Sequence, residues 1–261
     1  MGGLSHAILG MNSWRIDLSW DGSAYCGWQR QPNKNTIQQK VEEALHQIFA
    51  GEDIHVLAAG RTDTGVHALQ QIASFVAQTH RSEKSVCKGL NALLPEDIVC
   101  IHAQKMERGF RARSASKRKL YRYRILMREV HDPLRLRRVW WLRDSFDIKK
   151  MRKEAQKFVG THDFTSFRAA RCGAKGSVRT IEACRLFEQN DELIFEVIGK
   201  GFLRHQVRIM MGTLVDIGRG TFQERGVEDI IQALDRRKAG MTAPAHGLYL
   251  VWTRLDCDEK E

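Results

Sequence analysis

One aspartate lies among residues that could equip it for chemistry. The segment GRTDTGVHA at residues 60–68 holds a single carboxylate, Asp63, two positions after Arg61 and between two glycines. A neighbouring guanidinium favours the ionised carboxylate, the form that acts as a nucleophile or as a base. An aspartate between glycines is also an ordinary turn residue. The segment alone therefore leaves both catalysis and a structural turn open.

Two further segments carry polar groups. DGSAYCGWQRQ at residues 21–31 fits neither the G-x-G-x-x-G pattern nor the phosphate-binding P-loop, so it predicts a loop with one packed tryptophan. GFLRHQVR at residues 201–208 predicts the start of a helix, with Arg204 and Arg208 four residues apart on one face. These two cations could equally be solvated helix residues without a role in binding.

A basic stretch surrounds two aromatic residues on a predicted strand. Between Gln104 and Arg128 there are ten basic residues and one acid, and Tyr121 and Tyr123 lie among them. RNA-binding sheets combine cations that contact phosphates with rings that stack on unpaired bases. The alternative is a solvated basic face with both tyrosines in the core. The chain as a whole has 42 Lys and Arg against 31 Asp and Glu, a net charge of +11, which favours a nucleic-acid partner.

Composition excludes several classes of protein. A hydrophobic fraction of 43% with 28% charged residues is too balanced for a disordered chain. No apolar run approaches the roughly 18 to 20 residues that span a bilayer, and the first 14 residues do not resemble a secretory signal. The six cysteines, Cys257 among them, have no metal-binding spacing. We therefore expect a cytoplasmic protein with reduced thiols, without a metal and without membrane attachment.

Hydrophobic periodicity predicts two successive βαββαβ halves. The first contains a half-buried strand at 14–20, a helix after Thr36, apolar runs near 54–59 and 70–77, a helix from Ser82 and a strand at 98–105. The second contains strands at 119–127 and 138–142, a helix from Asp147, strands at 178–187 and 193–199 around a hairpin, helices at 203–217 and 227–236, and a strand at 248–254.

This order of elements predicts an α+β fold class. We expect two ferredoxin-like (RRM-like) halves with antiparallel sheets, residues 1–108 and 109–261, packed together rather than tethered by a linker. The first half carries Asp63, and the second carries Tyr121 and Arg208.

Six segments, taken in order, match one known family. They read DGSAYCGWQRQ at 21–31, GRTDTGVHA at 60–68, RKLYRYRI at 118–125, DFTSFRA at 163–169, GFLRHQVR at 201–208 and GLYLVW at 247–252. From about Trp14 to Leu255 the chain resembles the TruA family of tRNA pseudouridine synthases, whose signature is GRTDAGVHA. Thr64 replaces the usual alanine, and Gln206 stands where methionine is common.

The resemblance implies an isomerase that converts uridine to pseudouridine at positions 38, 39 and 40 in the anticodon stem-loop of tRNA. Asp63 corresponds to the catalytic aspartate, which either attacks the base or the sugar or removes a ribose proton. Tyr121 corresponds to the tyrosine that stacks on the target uracil and helps to remove the C5 proton. Arg208 corresponds to the arginine that pairs with the aspartate. No cofactor is implied, because the reaction is an isomerisation.

The resemblance also implies how the substrate is held. Arg61 corresponds to the arginine associated with flipping the nucleotide and filling its place, and Leu248 to the hydrophobic residue beneath the base. We expect Arg30 and Arg204 to bind the RNA as well. The family forms homodimers, so a homodimer is expected.

Two other functions remain as alternatives. A non-catalytic RNA-binding protein built from two RRM-like halves would account for the charge and the strand aromatics, but not for the context of Asp63. A role at a membrane surface ranks third, since no predicted helix combines a basic face with a strong apolar face.

Overall fold

The computed structural model describes residues 11–78, 80–170, 172–222 and 225–256. The expectations for the N-terminal signal region before residue 11 and for Cys257 lie outside these residues. The strands are β1 Met11–Trp20, β2 Leu57–Ala58, β3 His67–Gln78, β4 Ile98–Met106, β5 Ser116–Met127, β6 Trp140–Leu142, β7 Gly160–Asp163, β8 Val178–Gln189, β9 Glu192–Gly199 and β10 Leu248–Leu255. The helices are α1 Ile37–Ile48, α2 Glu83–Leu93, α3 Ala112–Ala115, α4 Ile148–Gln156, α5 Gln206–Gly218 and α6 Val227–Gln232. The predicted α+β class is confirmed.

The chain divides into two compact units. The first unit comprises the described residues up to Lys117 together with those from Leu250 onward, and the second unit is Arg118–Tyr249. In the described part of the chain, no helix has both the length and the apolar character needed to cross a membrane.

The first unit is built on the strand order β4-β1-β3-β10, with β2 also paired to β3. β1 runs antiparallel to both β3 and β4. As predicted, Thr36 and Ser82 precede α1 and α2, and each side-chain oxygen accepts a hydrogen bond from the backbone of the first turn. The core includes Trp14, which stacks on Phe75 with 5.9 Å between the ring centroids.

The prediction that β1 is half-buried is wrong, because its polar face is covered as well. Arg15 is only 9% exposed and Asp17 only 4% exposed. Arg15 Nε donates to Asp17 Oδ1 at 2.8 Å, and Gln70 Nε2 donates to Asp17 Oδ2 at 2.7 Å. Charged side chains can be buried when they are paired and hydrogen-bonded in this way. Strict alternation along the sequence does not reveal such a pair.

The second unit contains the strand order β5-β9-β8-β7, antiparallel throughout, with the short β6 parallel to β5. The predicted β8–β9 hairpin is confirmed, and Asn190 at its turn has φ +55°. The predicted helix at 203–217 begins later, because His205 adopts the left-handed conformation with φ +61°. The helix predicted at 227–236 ends at Gln232, before Leu234 with φ +48°. β7 was not predicted from the sequence.

Candidate active site

Asp63 lies on the loop that joins β2 to β3. A tight turn forms where Val66 N donates to the carbonyl of Asp63 at 3.1 Å, and Gly65 within it has φ +77°. The start of the loop is held by Gln71, whose Nε2 donates to the carbonyl of Gly60 at 2.7 Å. Asp63 itself is partly exposed. The loop therefore presents a carboxylate at a turn that is fixed on both sides.

The 21–31 segment is the support of this loop. Trp28 N donates to the carbonyl of Thr62, and Gly65 N donates to the carbonyl of Tyr25, each at 3.2 Å. The ring of Trp28 is buried against Trp20, with 5.7 Å between the centroids. The predicted loop with a packed tryptophan is confirmed. No pattern in the sequence predicts that this segment forms hydrogen bonds with the residues on either side of Asp63.

Two glycines of this support allow the close approach. Gly27 has φ +84°, and a Cβ atom there would lie 2.6 Å from the carbonyl oxygen of Thr62. At Gly22 a Cβ atom would lie 2.1 Å from the carbonyl oxygen of Val66. Both distances are shorter than van der Waals contact, so any side chain at either position displaces the Asp63 loop.

Tyr25 is a polar group of this region that sequence reasoning missed. Its hydroxyl donates to Asp97 Oδ1 at 2.5 Å. Burial raises the pKa of Tyr25, and the hydrogen bond to Asp97 raises it further. The hydroxyl is therefore a fixed donor to Asp97.

The two arginines expected in the first unit differ in their surroundings. Arg61 is exposed on the Asp63 loop, two residues before the carboxylate. Arg30 is the second-last residue of the supporting segment, and its Nη1 donates to Glu42 Oε2 at 2.9 Å while about half of its side chain remains exposed.

The two tyrosines of the basic stretch have different environments in the second unit. Tyr123 is fully buried, its hydroxyl donates to the carbonyl of Pro244 at 2.6 Å, and burial raises its pKa. Tyr121 is 8% exposed and meets Phe202 edge-on, with 5.1 Å between the centroids. Both tyrosines are therefore buried, as the core alternative expects, and stacking of Tyr121 on a base stays a prediction.

Arg208 lies in the first turn of α5 and is tied to the segment before β10. Its Nε donates to the carbonyl of Ala243 at 2.8 Å, and Ala243 N donates to the carbonyl of Arg208 at 3.1 Å. Leu248, the first residue of β10, is 5% exposed. The two hydrogen bonds with Ala243 fix the direction in which the partly exposed Arg208 side chain leaves the helix.

The prediction that Arg204 and Arg208 share a helix face is wrong. Arg204 is exposed and lies in the turn before α5, because the helix begins only at Gln206. Gln206 is buried, and its Oε1 accepts a hydrogen bond from Leu203 N at 2.8 Å. The glutamine that departs from the family pattern thus contributes to holding this turn.

The basic stretch separates into paired and unpaired cations. On β5, Arg122 binds Glu196 at 2.6 Å and Arg124 binds Glu192 at 2.6 Å, each across the β5–β9 pairing. Arg108, Arg111 and Arg113 of the first unit are exposed, and within the described residues no carboxylate forms a salt bridge with them. The exposed cations without a carboxylate partner therefore contribute most of the net positive charge of this stretch.

Each unit thus collects part of the expected site. The first unit carries Asp63 and Arg61 on one loop and Arg30 at the end of its support. The second unit carries the other four predicted residues, Tyr121, Arg204, Arg208 and Leu248. In the described parts of the chain, no group of three or more His, Cys, Asp or Glu side chains could hold a metal ion.

Similarity to known proteins is consistent with these motifs. The family model described as tRNA pseudouridine synthase matches residues 19–113 and 155–256. A "tRNA pseudouridine synthase A" of Exiguobacterium sp. is 41% identical over 236 residues, which are 90% of this chain and 95% of that protein. A "tRNA pseudouridine synthase A" of Pelobacter propionicus is 40% identical over 241 residues, 92% of this chain and 98% of that protein.

Among solved structures, a chain of a Cbf5-Nop10-Gar1 complex superposes with a TM-score of 0.35 and 13% identity. The superposition covers 92% of this chain and 58% of the other, and at that TM-score it does not bear on function. The family model and the sequence relatives decide the matter: this chain belongs to the tRNA pseudouridine synthase family.

Proposed function

We propose that this tRNA pseudouridine synthase isomerises uridine to pseudouridine at positions 38, 39 and 40 of the tRNA anticodon stem-loop, with Asp63 as the catalytic carboxylate. The observation that carries the proposal is the way in which the loop around Asp63 is held in place. A partly exposed carboxylate lies at a turn whose neighbours on both sides are hydrogen-bonded to the 21–31 segment. Catalysis requires a reacting group that is held in place before the substrate arrives.

The reaction breaks the glycosidic bond between N1 of uracil and C1′ of the ribose. The uracil then rotates, C5 bonds to C1′, and the proton on C5 is lost while N1 gains one. Substrate and product have the same composition, so neither an oxidant nor an energy source takes part. Asp63 acts on the base or the sugar, or removes a ribose proton. Tyr121 stacks on the uracil and helps to remove the C5 proton, and Arg208 pairs with the carboxylate.

Four side chains would hold the RNA during these steps. A base within a stem must leave the stack, which costs a few kcal/mol that contacts in the pocket offset. Arg61 fills the place of the flipped nucleotide and Leu248 lies beneath the base. Arg30 and Arg204, both with exposed side chains, contact the RNA backbone.

The finer architecture and assembly belong to the same proposal. We infer two ferredoxin-like halves, 1–108 and 109–261, that form one catalytic unit around a central cleft. In support, β1, β3 and β4 of the first unit pair antiparallel in the order β4-β1-β3, with β2 antiparallel on β3. The enzyme acts in the cytoplasm as a homodimer. Light scattering that gives the mass of one chain would contradict the dimer.

Release of tritium from C5 of uridine tests the reaction. Wild-type protein incubated with C5-tritiated tRNA should release label, and Asp63→Asn should release none above background while still binding tRNA. Asp53→Asn removes an exposed carboxylate from the same unit and should behave as wild type. Equal release by the wild type and Asp63→Asn would overturn the role of Asp63. Tight binding of tRNA by the wild type without any release would instead support the non-catalytic RNA-binding alternative.

A further inference from the structure

Glu42 is a buried carboxylate of α1 with no role in the proposed reaction. Only 6% of its side chain is exposed. Oε1 accepts hydrogen bonds from Val56 N at 3.1 Å and from Gln38 Nε2 at 2.8 Å, and His55 Nδ1 lies 3.0 Å from the same oxygen. Oε2 accepts a hydrogen bond from Arg30 Nη1 at 2.9 Å. A buried carboxylate is costly unless it is hydrogen-bonded, and these contacts satisfy both oxygens of Glu42.

Gln38, one helical turn earlier, joins Glu42 in holding Arg30. Its Oε1 accepts hydrogen bonds from the backbone N–H of Arg30 and from Gln29 Nε2, each at 2.9 Å. Its Nε2 donates to Glu42 and to the carbonyl of Val56. Residues four apart on a helix share a face, and a fully satisfied polar network is rigid. Both the backbone and the guanidinium of Arg30 are therefore fixed by α1.

The remainder of Arg30 faces an open cleft. The side chain is 54% exposed, and the cleft has a volume of about 380 Å³. The other residues that line it are Gln31, Pro32, Asn33 and Gln39. A guanidinium carries five N–H donors, and among the described residues Glu42 is its only hydrogen-bonded acceptor. Planar donors that remain available on a fixed guanidinium match two oxygens of a phosphate.

We propose that Glu42 is a positioning residue that orients Arg30 so that its guanidinium binds a phosphate of the tRNA backbone in this cleft. The proposal rests on the proposed function, since it takes tRNA as the ligand. The RNA contact of Arg30 is already part of that function, and the inference adds the residue that orients Arg30. Because Glu42 acts through Arg30, it affects the binding of tRNA and not the chemical step.

Glu42→Gln separates this role from a structural one. The amide oxygen can replace Oε1 and keep the contacts with Val56 N, Gln38 and His55 Nδ1. The amide nitrogen then faces Arg30 Nη1, so two donors oppose each other and only the contact with Arg30 is broken. We expect KM for tRNA to rise by about three- to tenfold with kcat unchanged.

The sign of this effect distinguishes positioning from net charge. Loss of a negative charge by itself strengthens the binding of a polyanion. Glu43→Gln removes the same charge from the next residue of α1, where Glu43 is hydrogen-bonded to Gln39 and Lys40 and interacts with Arg30 only through its charge. We expect this control to bind tRNA as tightly as the wild type or slightly more tightly. Equal behaviour of the two variants would overturn the proposal.

A double-mutant cycle with Arg30→Ala completes the test. If Glu42 acts through Arg30, Glu42→Gln should change KM in the wild-type background and leave it unchanged in the Arg30→Ala background. An equal rise of KM in both backgrounds, or a fall in kcat, would contradict positioning. Failure of the proposed function would look different. In that case the wild type would release no tritium, and neither would any variant at position 42.

Discussion

The backbone N–H of Trp28 donates to the carbonyl oxygen of Thr62 at 3.2 Å, which ties the supporting 21–31 segment to the residue before Asp63. The two residues are far apart in sequence, and Trp28 is anchored in the core by its ring. The position of the carboxylate therefore depends on a segment that is distant from it in sequence. Changes in this segment should affect activity without touching Asp63.

Gly27→Ala should lower both stability and activity. Residue 27 has φ +84°, and the added methyl group would lie 2.6 Å from the carbonyl oxygen of Thr62. The left-handed conformation alone costs an alanine about 1 to 2 kcal/mol, and the steric overlap adds to that. We expect a loss of at least about 2 kcal/mol in the free energy of unfolding by urea. The displaced loop should also reduce kcat for tritium release.

Gly109→Ala is the matched control for Gly27→Ala. Gly109 has φ +87°, nearly the same conformation, but a Cβ atom there would have no neighbour within 4 Å. The control should lose only the free energy of unfolding that the left-handed conformation costs, about 1 to 2 kcal/mol, and its kcat should not change. If both variants lost the same stability and activity, the contact between residue 27 and Thr62 would not position Asp63.

The unpaired cations of the basic stretch should determine how tRNA binding depends on salt. Arg111→Gln with Arg113→Gln removes two exposed cations, and the slope of log affinity against log salt should fall by about 0.7 to 0.9 for each phosphate that is no longer neutralised. Filter binding at several salt concentrations measures this slope. Arg122→Gln with Glu196→Gln removes a cross-strand pair and leaves the net charge unchanged, so its slope should equal that of the wild type. A fall in the slope of this second variant would show that Arg122 contacts phosphate.

Removing the hydroxyl of Tyr123 should mainly lower stability, whereas removing that of Tyr121 should mainly lower the rate of the reaction. Tyr123→Phe leaves the carbonyl of Pro244 without its buried donor, which should cost about 1 to 3 kcal/mol of unfolding free energy. Tyr121→Phe keeps the ring that meets Phe202 and removes only the hydroxyl, so kcat for tritium release should fall while the ring packing is retained. Urea unfolding and single-turnover kinetics measure the two effects. The reverse pattern would place the reacting hydroxyl at Tyr123.

Features that depend on neighbouring residues were accessible from the sequence. Thr36, Ser82 and Asp147 are short polar residues that precede apolar helical patterns, and each caps its helix. The hairpin turn at Asn190 is similarly local. The Asp63 segment could be found for the same reason, since its glycines and carboxylate are adjacent.

Features that depend on distant partners were not accessible. Arg122 and Glu196 are 74 residues apart, and only the register of β5 and β9 brings them together. The covered polar face of β1 likewise depends on Gln70, 53 residues beyond Asp17. The start of α5 depends on the left-handed His205, a conformation that its residue type does not favour. A basic residue in a sequence can thus be counted, but whether it is neutralised depends on the fold.

Asp163, at the end of β7 and in the DFTSFRA segment, should make stability depend on acid pH. Hydrogen bonds from the side chains of Ser177 and Thr165 hold the pKa of Asp163 below its ordinary value. A carboxyl group with a lowered folded-state pKa stabilises the fold above its unfolded pKa, near 4, and this contribution is lost as pH falls through the folded value. Asp163→Asn should therefore be less stable than the wild type at pH 7, and the difference should shrink on acidification to pH 3. Urea unfolding at pH 7, 5, 4 and 3 measures it. A difference that stays constant or widens towards pH 3 would show that the ionised carboxylate is not what Ser177 and Thr165 stabilise.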